Sequence, residues 1–204
     1  MSTCPRLRPL ALTLLLAILG LPAYSQSIRL STEGGATTAE FSIDERLFGS
    51  PKTVIGTNVE VTGAALVDPG ADQWLRFEPF EVRAAGFTTD SNPRNRQIRG
   101  RILNAADFEY IRFVPRRMIE LTTAADGRAS FQLVGSLTIR EVTRSVVFAM
   151  EVELTPTAAR PNALVGVGST KINLADFQLT VPRVFFVAEV AEEMTLAINL
   201  DLRS

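Results

Sequence analysis

The stretch Met194-Thr195-Leu196-Ala197-Ile198-Asn199-Leu200-Asp201-Leu202-Arg203 decides the fold class. A β-strand turns successive side chains to opposite faces, so Met194, Leu196, Ile198, Leu200 and Leu202 share one face. Thr195, Asn199, Asp201 and Arg203 take the other. A helical period of 3.6 would scatter both sets around the axis. One oily face and one polar face predict a long strand with one side against a core.

The same period recurs outward from this segment. Val146, Phe148, Met150, Val152 and Leu154 alternate over nine residues, with Glu151 and Glu153 on the opposite face. Shorter alternations occupy Ala39-Phe41-Ile43, Val59-Val61 and Phe131-Leu133. Asp68-Pro69-Gly70 and Pro156 mark turns, and Asp126-Gly127 is a hairpin signal. Eight strands are expected, over 36–44, 54–67, 73–86, 110–123, 129–139, 144–155, 163–174 and 193–203. The 90–107 stretch lacks alternation and reads as a loop with a short helix near Asn104–Asp107. Long strands with one apolar face make either a sandwich or a barrel. Their length favours a single antiparallel barrel, because closure removes edges that would otherwise invite aggregation. A barrel of this size either packs shut or encloses one small ligand.

The N-terminus has the three parts of a secretory signal: Arg6 and Arg8, the uncharged run Leu10–Leu21, then Ala23-Tyr24-Ser25. Cleavage is expected before Gln26, leaving one domain over 26–204 in the periplasm or medium. The apolar run is shorter than the roughly 20 residues a spanning helix needs. Without Arg6 and Arg8 the chain has 19 basic and 22 acidic residues, too acidic a balance to suggest a nucleic-acid partner. There is no His, and the one Cys, Cys4, lies within the signal. That removes Ser-His and Cys-His catalysis and the usual zinc, copper and haem ligands. No cofactor and no enzymatic activity are expected.

Gly135-Ser136-Leu137-Thr138-Ile139-Arg140-Glu141-Val142-Thr143-Arg144-Ser145-Val146-Val147-Phe148 resembles the G-x-L-T-I-R-G-V-T-R-P-V-x-F hairpin of the YceI-like polyisoprenoid-binding proteins. Glu141 and Ser145 replace the usual Gly and Pro. Arg99–Phe113 is similar to a second family segment through Leu103, Asp107-Phe108 and Ile111-Arg112-Phe113, without the frequent upstream His. Ile172–Leu179 is similar to I-x-R-x-D-F-G-L but lacks that Arg and Gly, and Thr37–Ile43 is compatible with the family's opening strand. The resemblance implies a lipocalin-like barrel whose elongated lumen holds an isoprenoid or similar amphiphile, in a protein exported to the periplasm. A homodimer is compatible with it, though oligomeric state is not legible in the residues.

The inward-facing apolar residues Phe41, Phe113, Leu133, Phe148, Met150, Val152, Phe177, Met194, Leu196 and Ile198 are the candidate ligand wall; otherwise they fill a solid core. Arg94, Arg96, Arg99, Arg101, Arg112, Arg116 and Arg117 read as a basic patch near the mouth or as ordinary surface. Phe185-Phe186 reads as an apolar lip or packed loop. Glu189, Glu192 and Glu193 read as a solvated turn rather than a cation site. The leading expectation is an exported lipid carrier or store. The alternative is a non-enzymatic envelope stress or interaction protein with a filled barrel.

Overall fold

The computed structural model describes residues 27–47, 50–69, 71–124, 126–155, 161–181 and 187–204. Five long strands make its strong wall: β8 (Tyr110–Thr123), β9 (Arg128–Ile139), β10 (Val142–Thr155), β11 (Ala163–Asn173) and β12 (Val187–Arg203). Each pairs antiparallel with the next. Along β10 every second residue from Val146 is buried, so Phe148, Met150, Val152 and Leu154 face in while Glu151 and Glu153 face out.

The N-terminal half completes the ring in shorter pieces: β1 (Ile28–Ser31), β2 (Thr38–Leu47), β3 (Ser50–Asn58), β4 (Val61–Thr62), β5 (Ala64–Val67), β6 (Leu75–Phe77) and β7 (Phe80–Arg83). The free edge of β12 takes β2 and then β1. β2 pairs β3 and β1 pairs β5, while β6 on β5 and β7 on β4 lead back to β8. The sheet is thus a curled antiparallel barrel, strong through β8–β12 and thin where strands of two to four residues meet.

Two of the expected strands are broken. The 54–67 stretch divides at Asn58, which is 1% exposed. Its Nδ2 donates to the Arg83 carbonyl and its Oδ1 accepts the Glu60 N–H, both in place of ladder bonds. The 73–86 stretch divides at Glu78-Pro79, where proline has no N–H to give. β1 was not expected. The loop joining it to β2 is fastened to β12: the Thr37 hydroxyl donates to the Asp201 carbonyl at 3.0 Å and accepts the Asp201 N–H at 2.9 Å.

The short helix lies elsewhere than the 104–107 position expected. α1 spans Asn92–Gln97 and runs into a π turn over Ile98–Ile102. Pro93 in the first turn starts it. Asn95 is buried and accepts the Thr89 N–H and hydroxyl on Oδ1, each at 2.7 Å. Ile98, Ile102 and Leu103 repeat with helical spacing, which is why the stretch shows no alternation. Asn104–Asp107 is a turn tied by the Asn104 amide donating to Asp107 at 2.8 Å.

One end of the barrel is solid. Leu154, Leu164 and Leu202 lie side by side on neighbouring strands, and with Leu30, Val67 and Leu75 they are at most 2% exposed. The space within the barrel lies towards the other end.

Candidate functional site

Between the long wall and the 84–103 connection lies a cavity of about 470 Å³. Its lining is almost entirely apolar. The position follows from local sequence. β2 and β12 turn Phe41, Ile43, Met194, Leu196 and Ile198 inward, and all five stay partly accessible although they belong to the core face. Inward residues that touch space rather than packed neighbours mark an open lumen. Two glycines open the wall further. A Cβ on Gly56 would run into the Phe41 ring of its cross-strand partner, and one on Gly168 into the Met150 sulfur. Each missing side chain lets its large neighbour lie flat against the sheet.

Eight of the ten residues expected to form the wall border this cavity: Phe41, Phe113, Leu133, Phe148, Met150, Met194, Leu196 and Ile198. Val152 and Phe177 do not. Val152 is 3% exposed, one inward step closer to the solid end, and Phe177 is 2% exposed in a 3-10 turn over Leu174–Phe177. Alternation identifies a face but not the depth along it, so packed and cavity-facing residues look alike in sequence.

The missed residues divide in the same way. Ile43, Leu137 and Ile139 share the phase of residues already chosen, so the pattern could have found them. Phe77, Phe80, Phe87, Ile98, Ile102 and Leu103 border the cavity from the broken strands and the connection, where no two-residue period exists. Phe87 meets Phe41 with ring centroids 5.6 Å apart, and its carbonyl accepts a hydrogen bond from Arg99 at 3.0 Å. Phe113 and Phe148 meet edge to face at 5.0 Å, a favourable aromatic geometry.

Polar groups gather where β2 runs out beneath α1. Glu45, Ser91, Arg94 and Gln97 all border the cavity. Arg94 Nη2 lies 3.0 Å from Glu45 Oε1, whose side chain is 7% exposed, and Arg94 Nη1 lies 2.5 Å from Asp90 Oδ1. Lys52 Nζ reaches the second Asp90 oxygen at 2.9 Å. The ammonium bonded to Asp90, with the Arg94 charge beside it, holds that carboxyl below the ordinary aspartate range.

The remaining arginines do not converge. Arg112 pairs with Glu81 at 3.4 Å and Arg116 donates to the Ser136 hydroxyl, while Arg96, Arg101 and Arg117 are exposed. Glu193 pairs with Lys171 at 2.7 Å and Glu192 is exposed. The Glu189 side chain, Phe185-Phe186 and residues 1–25 lie outside the described residues.

Solved structures share this architecture. A polyisoprenoid binding domain from Saccharophagus degradans, implicated in plant cell wall breakdown, superposes with a TM-score of 0.62 at 9% identity, covering 88% of this chain and 99% of that one. BcnA from Burkholderia cenocepacia does so at 0.58 and 16% identity, covering 82% and 96%. The Campylobacter jejuni YceI protein does so at 0.56 and 16% identity, covering 73% and 84%. A search of curated proteins finds no match. At these identities the likeness establishes the fold. Family membership comes from the sequence: the YceI-like domain matches residues 30–202, and the chain belongs to that family.

Proposed function

We propose that this chain is an exported, non-catalytic lipid-binding protein that holds an isoprenoid-type or other long apolar chain in its lumen, as carrier or store. The observation that carries the reading is the cavity itself, whose lining is apolar except at Glu40, Glu45, Ser91, Arg94 and Gln97. Its volume lies within the range of small-molecule sites, about 300–1,000 Å³. At ~30 Å³ per group of methylene size, taken from the share of one water in the liquid, it accommodates roughly fifteen carbons. Each contributes about 0.8 kcal/mol on leaving water, or about 12 kcal/mol in all. Association and ordering cost about 4 kcal/mol or more, leaving at most about −8 kcal/mol and micromolar affinity. The Saccharophagus neighbour is described as a polyisoprenoid binding domain, which points to the same ligand class. An open lumen favours this reading over a filled barrel.

The test is extraction of the purified protein with organic solvent followed by mass spectrometry, alongside titration with a fifteen-carbon prenol. Co-purified prenyl lipid or micromolar binding is expected. Protein that is repeatedly lipid-free and does not bind the prenol refutes the reading. For the export component, the N-terminal residue of the protein recovered from the periplasm is expected to be Gln26.

A further inference from the structure

The polar end of the cavity suggests what kind of head group the ligand carries. Among the described residues, Arg94 is the only cation bordering the cavity, and its charge is already engaged. Lys52, Asp90, Arg94 and Glu45 form a chain of alternating sign with contacts of 2.9, 2.5 and 3.0 Å, so the four formal charges cancel. Glu40 also borders the cavity, although strand alternation places its side chain opposite to that of Phe41. A phosphate or carboxylate head entering here would face the Glu45 carboxylate. To pair with Arg94 in full it would have to displace that carboxylate and leave it buried without a partner, and to share a spare Arg94 N–H it would have to lie against the like charge of Glu45; both are unfavourable. An uncharged head needs only one or two hydrogen bonds. Gln97 and Ser91 offer neutral groups at the same place, and a guanidinium has five N–H donors, more than its two carboxylate partners require.

We propose that the lumen selects lipids with an uncharged, hydrogen-bonding head, such as an alcohol, quinone or ester, and that Glu45 is the residue that excludes anionic heads. This rests on the lumen being a lipid site. The test holds the chain constant and varies the head: farnesol against farnesyl diphosphate, each displacing a neutral fluorescent dye from the full-length protein at pH 7 and low salt. Farnesol is expected to bind at least tenfold more tightly, a difference of about 1.4 kcal/mol. Glu45→Gln, which keeps the shape and removes the charge, is expected to reduce the ratio below threefold by strengthening diphosphate binding. Asp90→Asn, at an exposed position, is expected to move the ratio the same way by a smaller factor, and it reports even where Glu45→Gln does not fold. Equal or tighter diphosphate binding by the unaltered protein overturns the inference while the lipid reading stands. A ratio that neither folded variant changes also overturns it. If both probes fail to bind, the lipid reading falls and takes this inference with it.

Discussion

Replacing Ile198 by Phe puts three additional carbons into the lumen without touching the solid end. Ile198 sits on β12 in the row Met150–Gly168–Ile198–Ala39, inward-facing, partly accessible and bordering the cavity. At ~30 Å³ per group the larger ring takes about 90 Å³ from a space of 470 Å³. A fifteen-carbon chain that fills the cavity then loses three buried methylenes, about 2.4 kcal/mol, or roughly fiftyfold in affinity. A ten-carbon chain has slack and loses less than threefold. The assay is titration of both variants with farnesol and geraniol, with thermal unfolding of the free proteins in parallel. Because the ring enters empty space, the free variant is expected to unfold no earlier than the original. Equal losses for the two chain lengths would mean that the substitution had disturbed the wall rather than shortened the lumen. No loss for farnesol would mean that the chain does not occupy this space at all. Either result refutes the reasoning.

Other substitutions separate wall from core. Phe177→Ala removes a side chain that is 2% exposed and off the cavity; chemical denaturation is expected to show a loss of about 3–5 kcal/mol, with farnesol affinity within threefold. Gln178 is exposed and has a left-handed backbone, φ +53°, at the position where the family pattern has Gly; Gln178→Gly is expected to stabilise by about 0.5–1 kcal/mol in the same assay. The ion pair with Arg203, with a further bond from the Ala36 N–H, lowers the Asp201 carboxyl below its ordinary 3.8. A lowered carboxylate pKa adds stability that is present above the unfolded value and disappears as pH falls through the folded one. Stability is therefore expected to decline below about pH 4, and Asp201→Asn to remove part of that decline while costing under about 1 kcal/mol at pH 7; an unchanged acid profile counts against the pairing.

The departures from the family pattern turn out to differ in kind. Glu141 replaces a Gly in the β9–β10 hairpin, yet the left-handed residue of that turn is its neighbour Arg140, at φ +55°. Arg140 is also held by Glu141 at 3.1 Å and lies over the Phe108 ring. Gln178 replaces a Gly at a position that is itself left-handed, φ +53°, where Gly is favoured. Both substitutions look alike in the sequence, and only the dihedrals distinguish them.

Strand type, the long wall and most of the inward face were legible because a two-residue period is a local property, repeated often enough in β8–β12 to be read from residue types alone. The helix was misplaced because Pro93, Asn95 and Ile98 form one short turn stabilised by contacts with Thr89 and the core, and local periodicity cannot resolve a single turn. The lumen was settled only by the fold. Met150 and Val152 are the same kind of residue on the same face of one strand and both are buried, yet Met150 borders the cavity and Val152 does not. What separates them is depth: Val152 lies next to the packed row of Leu154, Leu164 and Leu202, which strands far apart in sequence bring together. The pairing of Arg94 with Glu45, forty-nine positions away in the chain, was likewise beyond any local pattern. It exists because curling of the sheet brings the end of β2 beneath the start of α1.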